Sequence, residues 1–153
     1  MKYYFVQHGK ATAREIDETQ PLSDEGIDET LAIAAVLAKN TLSIKRIFHS
    51  GKKRAAQTAE IIAAELGLST AQTIGGMKPN DDVREFIRTQ LTRQTDDCLY
   101  VGHLPHLNKL ISYLLSHDES ANCIEFRNSA VACISTEEGE SSLLWYITPG
   151  LIQ

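Results

Sequence analysis

Cysteine is scarce in this chain. Cys98, Cys123 and Cys133 are the only three, widely spaced and odd in number. No Cys-x-x-Cys pair occurs, which argues against a zinc site or a redox pair. Buried, reduced thiols fit this usage and point to a reducing compartment. Long apolar runs are missing as well. None approaches the roughly 20 residues of a membrane span. The N-terminal run, Tyr3 to Val6, is shorter than the apolar region of a signal peptide. A cytoplasmic location is therefore expected. Nor is there a basic excess. Fifteen Lys and Arg face 20 Asp and Glu, for a net charge of −5. That argues against general binding to nucleic acid or to an anionic membrane surface. A small basic pocket stays open, because a few local cations suffice for one. No repeat, linker or low-complexity tract interrupts the 153 residues, so residues 1–153 are expected to form one domain.

What is present is an alternation of short apolar runs with longer segments of helical period. Tyr3 to Val6 reads as a strand, rich in aromatic and β-branched residues. Ser23 is a good N-cap for a helix whose first turn holds Asp24 and Glu25. Ile27, Leu31, Ala34, Ala35 and Ala38 are expected on its apolar face. Ile44 to His49 is a second strand. A helix from about Lys53 to Leu66 follows, with Gly67 as its C′ residue. A short edge strand is expected between Ser69 and Asn80, and a third helix opens at Asp81 or Asp82. Cys98 to Val101 is a strand, and Leu107 to Leu115 an amphipathic helix. Two strands close the chain, about Ala130 to Ser135 and Leu143 to Thr148, joined as a hairpin. Strands alternating with helices imply a three-layer α/β/α sandwich. Its sheet is mostly parallel, and the closing hairpin adds antiparallel strands.

Ligands of such folds bind beyond the carboxyl ends of the strands. Three loops lie there: Gln7-His8-Gly9-Lys10, His49-Ser50-Gly51-Lys52-Lys53-Arg54 and Gly102-His103-Leu104-Pro105. Converging, they would gather His8, Arg54 and His103, with Ser50, Lys10 or Lys52 nearby. That set suits a phosphoryl group, which needs an in-line nucleophile and cations or N–H donors on its oxygens. A neutral histidine nitrogen can be the nucleophile. Arginine binds phosphate bidentately, which lysine cannot do. By position alone each of these residues also has an ordinary structural role open to it. His49, His106 and His117 are assigned such roles, and His103 is left open. No metal and no cofactor are expected.

Four segments resemble the histidine phosphatase superfamily, and among its members the short bacterial phosphohistidine phosphatases. The Arg-His-Gly segment of that family corresponds to Gln7-His8-Gly9-Lys10-Ala11. Its Pro-Leu-Ser/Thr-x-x-Gly segment corresponds to Pro21-Leu22-Ser23-Asp24-Glu25-Gly26. Its Ser-x-x-x-Arg-Ala-x-Gln-Thr segment is matched fully by Ser50 to Thr58, and its His-x-Pro turn by Gly102 to Pro105. The resemblance implies a phosphoglycerate mutase-like fold and phosphohistidine on a protein as substrate. It also implies His8 as the residue that becomes phosphorylated. Arg54 and His103 would hold the phosphoryl oxygens, with Ser50 on the pocket rim and Gln7 beside them.

Two positions depart from the family. Gln7 stands where the family has arginine, and Lys10 where it has an acid. Loss of one charge-assisted phosphate contact costs about 1.5–3 kcal/mol, or roughly 10- to 100-fold in rate. Two readings of Lys10 stay open: its ammonium reaches the phosphate, or it points to solvent beside a weak or inactive site. Asp81, Asp82 and Glu85 lie where larger relatives carry a general acid, with no motif to fix one of them. Arg127, Asn128 and Ser129 precede a strand and could approach the pocket. A phosphatase of small phosphomonoesters and a phosphate-binding module without catalysis are the alternative functions.

Overall fold

Successive residues of the first strand, β1 (Lys2–Gln7), face opposite sides of one sheet. Tyr3 and Phe5 enter one apolar cluster, Tyr4 and Val6 another. The computed structural model describes residues 1–152. After β1 come α1 (Asp24–Lys39), β2 (Arg46–His49), α2 (Lys53–Glu65), β3 (Gln72–Thr73) and α3 (Val83–Thr89). Then follow β4 (Cys98–Gly102), α4 (His106–Ser116), β5 (Val131–Glu137), β6 (Glu140–Ile147) and the short α5 (Pro149–Ile152). The six strands lie in the order β3-β2-β4-β1-β5-β6. The first four are parallel, and β5 and β6 join antiparallel. The three-layer arrangement and the hairpin are those expected.

One cluster packs Phe5, Phe48 and Tyr100 against Phe86 of α3 and Leu107, Leu110 and Ile111 of α4. The other packs Tyr4, Val6, Leu99 and Val101 against Ile33 and Leu37 of α1 and Ala55, Ala59 and Ile62 of α2. Fully burying one such aliphatic or aromatic side chain stabilises the fold by about 1.5–3 kcal/mol. The helices thereby lock the parallel strands in register, and the register sets the site. Gln7 lies beside Gly102, and His49 beside Val101. With β4 between β1 and β2, the loop after β4 is flanked by the other two functional loops.

The face of α1 differs from the expected one. Gly26, Thr30, Ile33, Ala34 and Leu37 are buried, whereas Leu31 is 46% exposed and Ala38 is also exposed. The cause is close approach. A Cβ at Gly26 would lie 2.1 Å from the Lys10 carbonyl oxygen. Only a side-chain-free residue lets the first turn of α1 pack on the loop that follows His8.

Candidate active site

His8 continues the β1 ladder by one bond: its N–H donates to the Gly102 carbonyl at 3.1 Å. Its own carbonyl accepts from Asn128 Nδ2 at 2.9 Å. The next N–H, of Gly9, donates to Thr58 Oγ1 at 3.0 Å. On the other side of β1, the Ser129 N–H donates to the Gln7 carbonyl at 2.9 Å. The Ser129 hydroxyl exchanges a hydrogen bond with Thr30, whose Oγ1 also donates to the Gly26 carbonyl. A Cβ at Gly9 would sit 2.8 Å from Thr30 Oγ1. The backbone of His8 is thus held from β4, α1, α2 and the loop before β5.

Those contacts account for two of the sequence spacings. Arg54, Gln57 and Thr58 sit at i, i+3 and i+4, so they share one face of α2. Thr58 takes the Gly9 N–H, and Gln57 Oε1 accepts from the Leu22 N–H at 2.7 Å. Arg54 turns to His8, its Nε donating to His8 Nε2 at 3.4 Å. One helix face therefore pins the loop at both ends and presents a guanidinium between them. Thr58, Gln57 and Thr30 had no role in the sequence reading. The last two residues of the segment Ser50 to Thr58 were the signal available.

The His8 ring is oriented by its own chain. Nδ1 lies 2.7 Å from the Gly9 carbonyl oxygen. A carbonyl can only accept, so Nδ1 carries the proton and Nε2 keeps its lone pair. Burial lowers the His8 pKa, and the Arg54 charge adds to this against the Gly9 hydrogen bond. The ring is accordingly neutral near pH 7. An imidazole lone pair beside a guanidinium can attack an electrophile that carries negative charge.

His103 faces it, with ring centroids 5.0 Å apart and the planes at 53°. His103 is buried, and its Nε2 exchanges a 2.6 Å hydrogen bond with Ser50 Oγ. Burial, with the charges of His8, Arg54 and Lys52 behind it, pushes the His103 pKa down to about 3. Arg54 is lowered too, first by burial and then by the charge of Arg14. Cations collected at one place without a carboxylate among them form a receptor for an anion. The structure thus brings His8, Arg54, His103 and Ser50 together, as expected. Gln7 sits at the same edge, and its buried Oε1 has no hydrogen-bond partner among the described residues.

Lys10 does not join them. Its ammonium lies 2.6 Å from Glu25 and 3.2 Å from Glu29, on the first turns of α1. Of the two readings open for Lys10, the reach to a phosphate gives way to a pairing with these two carboxylates, which the close approach at Gly26 brings under the loop. Arg127 pairs with Glu125 at the surface, 3.0 Å away. Asp82 is the N-cap of α3, accepting from the N–H groups of Arg84 and Glu85. Asp81 accepts from the Lys78 N–H. Neither carboxylate hydrogen-bonds to His8, Ser50, Arg54 or His103. Among the other histidines, His49 accepts from the Gly51 N–H, and His117 ends α4 in the left-handed conformation. Among the described residues, no group of three or more His, Cys, Asp or Glu side chains is arranged to hold a metal ion.

Comparison with known proteins gives the same picture. The model of the histidine phosphatase superfamily (branch 1) matches residues 3–76. Phosphohistidine phosphatase SixA of Escherichia coli is 26% identical, over 97% of this chain and 94% of its own. An uncharacterised protein of Picosynechococcus sp. is 34% identical over 71% of this chain and 70% of its own. The solved structure of the protein histidine phosphatase SixA complexed with tungstate superposes with a TM-score of 0.87 and 25% identity, covering both chains entirely. The sheet order, the phosphoglycerate mutase-like fold, the family model and the relatives agree, and the chain belongs to the histidine phosphatase superfamily.

Proposed function

We propose that this phosphatase hydrolyses phosphohistidine on a protein through a covalent intermediate at His8. The observation that carries the proposal is the His8 ring itself: Nδ1 is tied to the Gly9 carbonyl, and the Nε2 lone pair faces the Arg54 guanidinium. In the first step the Nε2 lone pair forms a bond to phosphorus while the phosphorus–nitrogen bond of the substrate breaks. The substrate ring, protonated on its other nitrogen, leaves with that electron pair as neutral imidazole. In the second step water attacks phosphorus and releases one proton to solvent. The phosphorus–Nε2 bond breaks, and inorganic phosphate and neutral His8 are released. Arg54 holds the equatorial oxygens, which carry the charge of the transition state. The phosphoryl charge raises the His103 pKa from its depressed value, so that His103 can donate to an oxygen once substrate is bound. Ser50 orients His103, and Gln7 offers a neutral contact where relatives have arginine.

The leaving group favours phosphohistidine over a phosphomonoester. With the other ring nitrogen protonated, the substrate leaves as neutral imidazole, whose conjugate acid has a pKa of about 6.5, so it departs without a strong protein acid. Asp81 and Asp82 both spend oxygens on backbone N–H groups at the start of α3, which suits a reaction that does not call on them. The similarity to SixA over the whole chain supports the same substrate class. The step uses no metal.

The test is hydrolysis of a histidine-phosphorylated peptide in the presence of a chelator, compared with p-nitrophenyl phosphate. Turnover of the peptide should exceed that of the ester and should vanish in His8→Ala. Full activity in His8→Ala, or loss of peptide turnover on chelation, refutes the proposal.

A further inference from the structure

Residues 10–22 leave the sheet after His8, turn at 14–16 and return to α1. Between this loop and the first turn of α1 runs an open groove of about 680 Å³. Asn128 lines it, and the same side chain donates to the His8 carbonyl at 2.9 Å. The groove therefore adjoins the backbone of the nucleophile. Part of its lining is apolar: Ala13, the buried Leu22 and Ile16. Ile16 is 81% exposed, more than any other large hydrophobic residue described. Ile16 therefore presents an uncovered apolar side chain at the edge of the groove.

The rest of the lining is acidic. Asp24 and Glu25 contribute carboxylates. The single ammonium of Lys10 is shared between Glu25 and Glu29, and Asp24 has no ion-pair partner among the described residues. Negative charge is left over. The pocket next to it has the opposite sign, from Arg54 with the charges of Arg14 and Lys52. A ligand spanning both must carry an anion followed by apolar and positive groups. A free phosphate or a small phosphomonoester has only the first.

We infer that this groove binds the polypeptide flanking the phosphohistidine, with an apolar side chain on Ile16 and a Lys or Arg on Asp24 and Glu25. The inference rests on the phosphohistidine reading above and names the sequence chemistry of its substrate. It makes Ile16 and Asp24 specificity residues that touch the polypeptide and leave the phosphoryl group to the pocket.

Three substrates separate the possibilities: phosphoimidazole, a peptide whose phosphohistidine is flanked by Leu and Arg, and the same peptide flanked by Gly and Glu. The Leu/Arg peptide should exceed the Gly/Glu peptide in kcat/KM by about tenfold, the size of one well-covered aliphatic contact with a screened ion pair. Ile16→Ser should lower the Leu/Arg peptide several-fold, the larger part of that preference, as the contact is lost, and leave phosphoimidazole unchanged. Asp24→Asn should weaken the preference for Arg, and so should high salt. A wild-type protein that turns over phosphoimidazole but treats the two peptides alike overturns the groove and leaves the phosphatase reading standing. An Ile16→Ser protein that loses phosphoimidazole and peptide activity in equal measure also overturns it. A wild-type protein inert on all three substrates overturns the phosphatase reading and the groove with it.

Discussion

Replacing Gln7 by arginine tests how the phosphate pocket is balanced. Gln7 is 9% exposed, at the end of β1 next to His8, with an unpartnered buried oxygen. An arginine there adds a charge-assisted contact that strengthens as charge spreads over the phosphoryl oxygens. At about 1.5–3 kcal/mol, the gain in kcat is roughly 10- to 100-fold. The same guanidinium has a cost in the empty site. At a separation of about 6 Å from Arg54 and an effective dielectric of about 20, the repulsion is roughly 3 kcal/mol. That is an upper bound, because Arg54 is partly exposed and solvent screens it. For a chain of this length it lowers Tm by no more than about 6–12 °C. A bound oxyanion cancels the repulsion, so tungstate should raise the Tm of Gln7→Arg by more than that of the wild type. The assays are phosphate release from phosphoimidazole and thermal unfolding with and without tungstate. An unchanged kcat together with an unchanged Tm would show that residue 7 does not face the phosphate, and the reasoning would fail.

Thr58→Val should leave the Gly9 N–H without its acceptor, at a cost of about 1–3 kcal/mol. Because the lost bond orients His8, kcat should fall more than KM rises. Asp82→Ala removes the N-cap of α3 and should cost about 1 kcal/mol by thermal unfolding, with phosphoimidazole turnover retained; a collapse of turnover would reinstate Asp82 as an acid. The buried histidines give an acid-sensitive fold. His103 and His106 are lowered to about 3 and about 4, mainly by burial. Below pH 6.5 the unfolded chain takes up protons that the folded chain refuses, so this stability is complete above pH 6.5 and declines toward pH 4. His106→Phe should flatten that decline, as followed by denaturant midpoints across the range; an equally steep decline would count against it. Catalysis should survive to lower pH than for a free imidazole, because His8 is lowered in the same direction.

Much of this was readable from the chain. The strands show themselves as β-branched and aromatic runs, and the rule of carboxyl ends points to His8, Ser50, Arg54 and His103. The apolar face of α1 was not readable. Helical period selects Ile27, Leu31 and Ala38, whereas the burial of Gly26 and Thr30 comes from a loop that must lie against them. That same packing captured Lys10, whose charge in isolation looked free for a phosphate. Glu25 is 15 residues away in sequence and 2.6 Å away in space. The hydrogen bonds of Thr58, Gln57 and Asn128 are equally long-range. Residue type marks these side chains as donors or acceptors, but only the sheet register says what they meet. Gln7 shows the converse, since sequence alone flagged its departure and the structure adds that its oxygen is buried without a partner.

The most direct test is to trap the intermediate. The protein is mixed with radiolabelled phosphoramidate, quenched within milliseconds in alkali, digested and mapped by mass spectrometry. The account predicts a phosphate on the peptide containing His8, stable to base and labile to acid, absent in His8→Ala and accumulating in a variant slowed at the second step. Steady hydrolysis with no label on the protein, or label on His103 or Ser50, would contradict it.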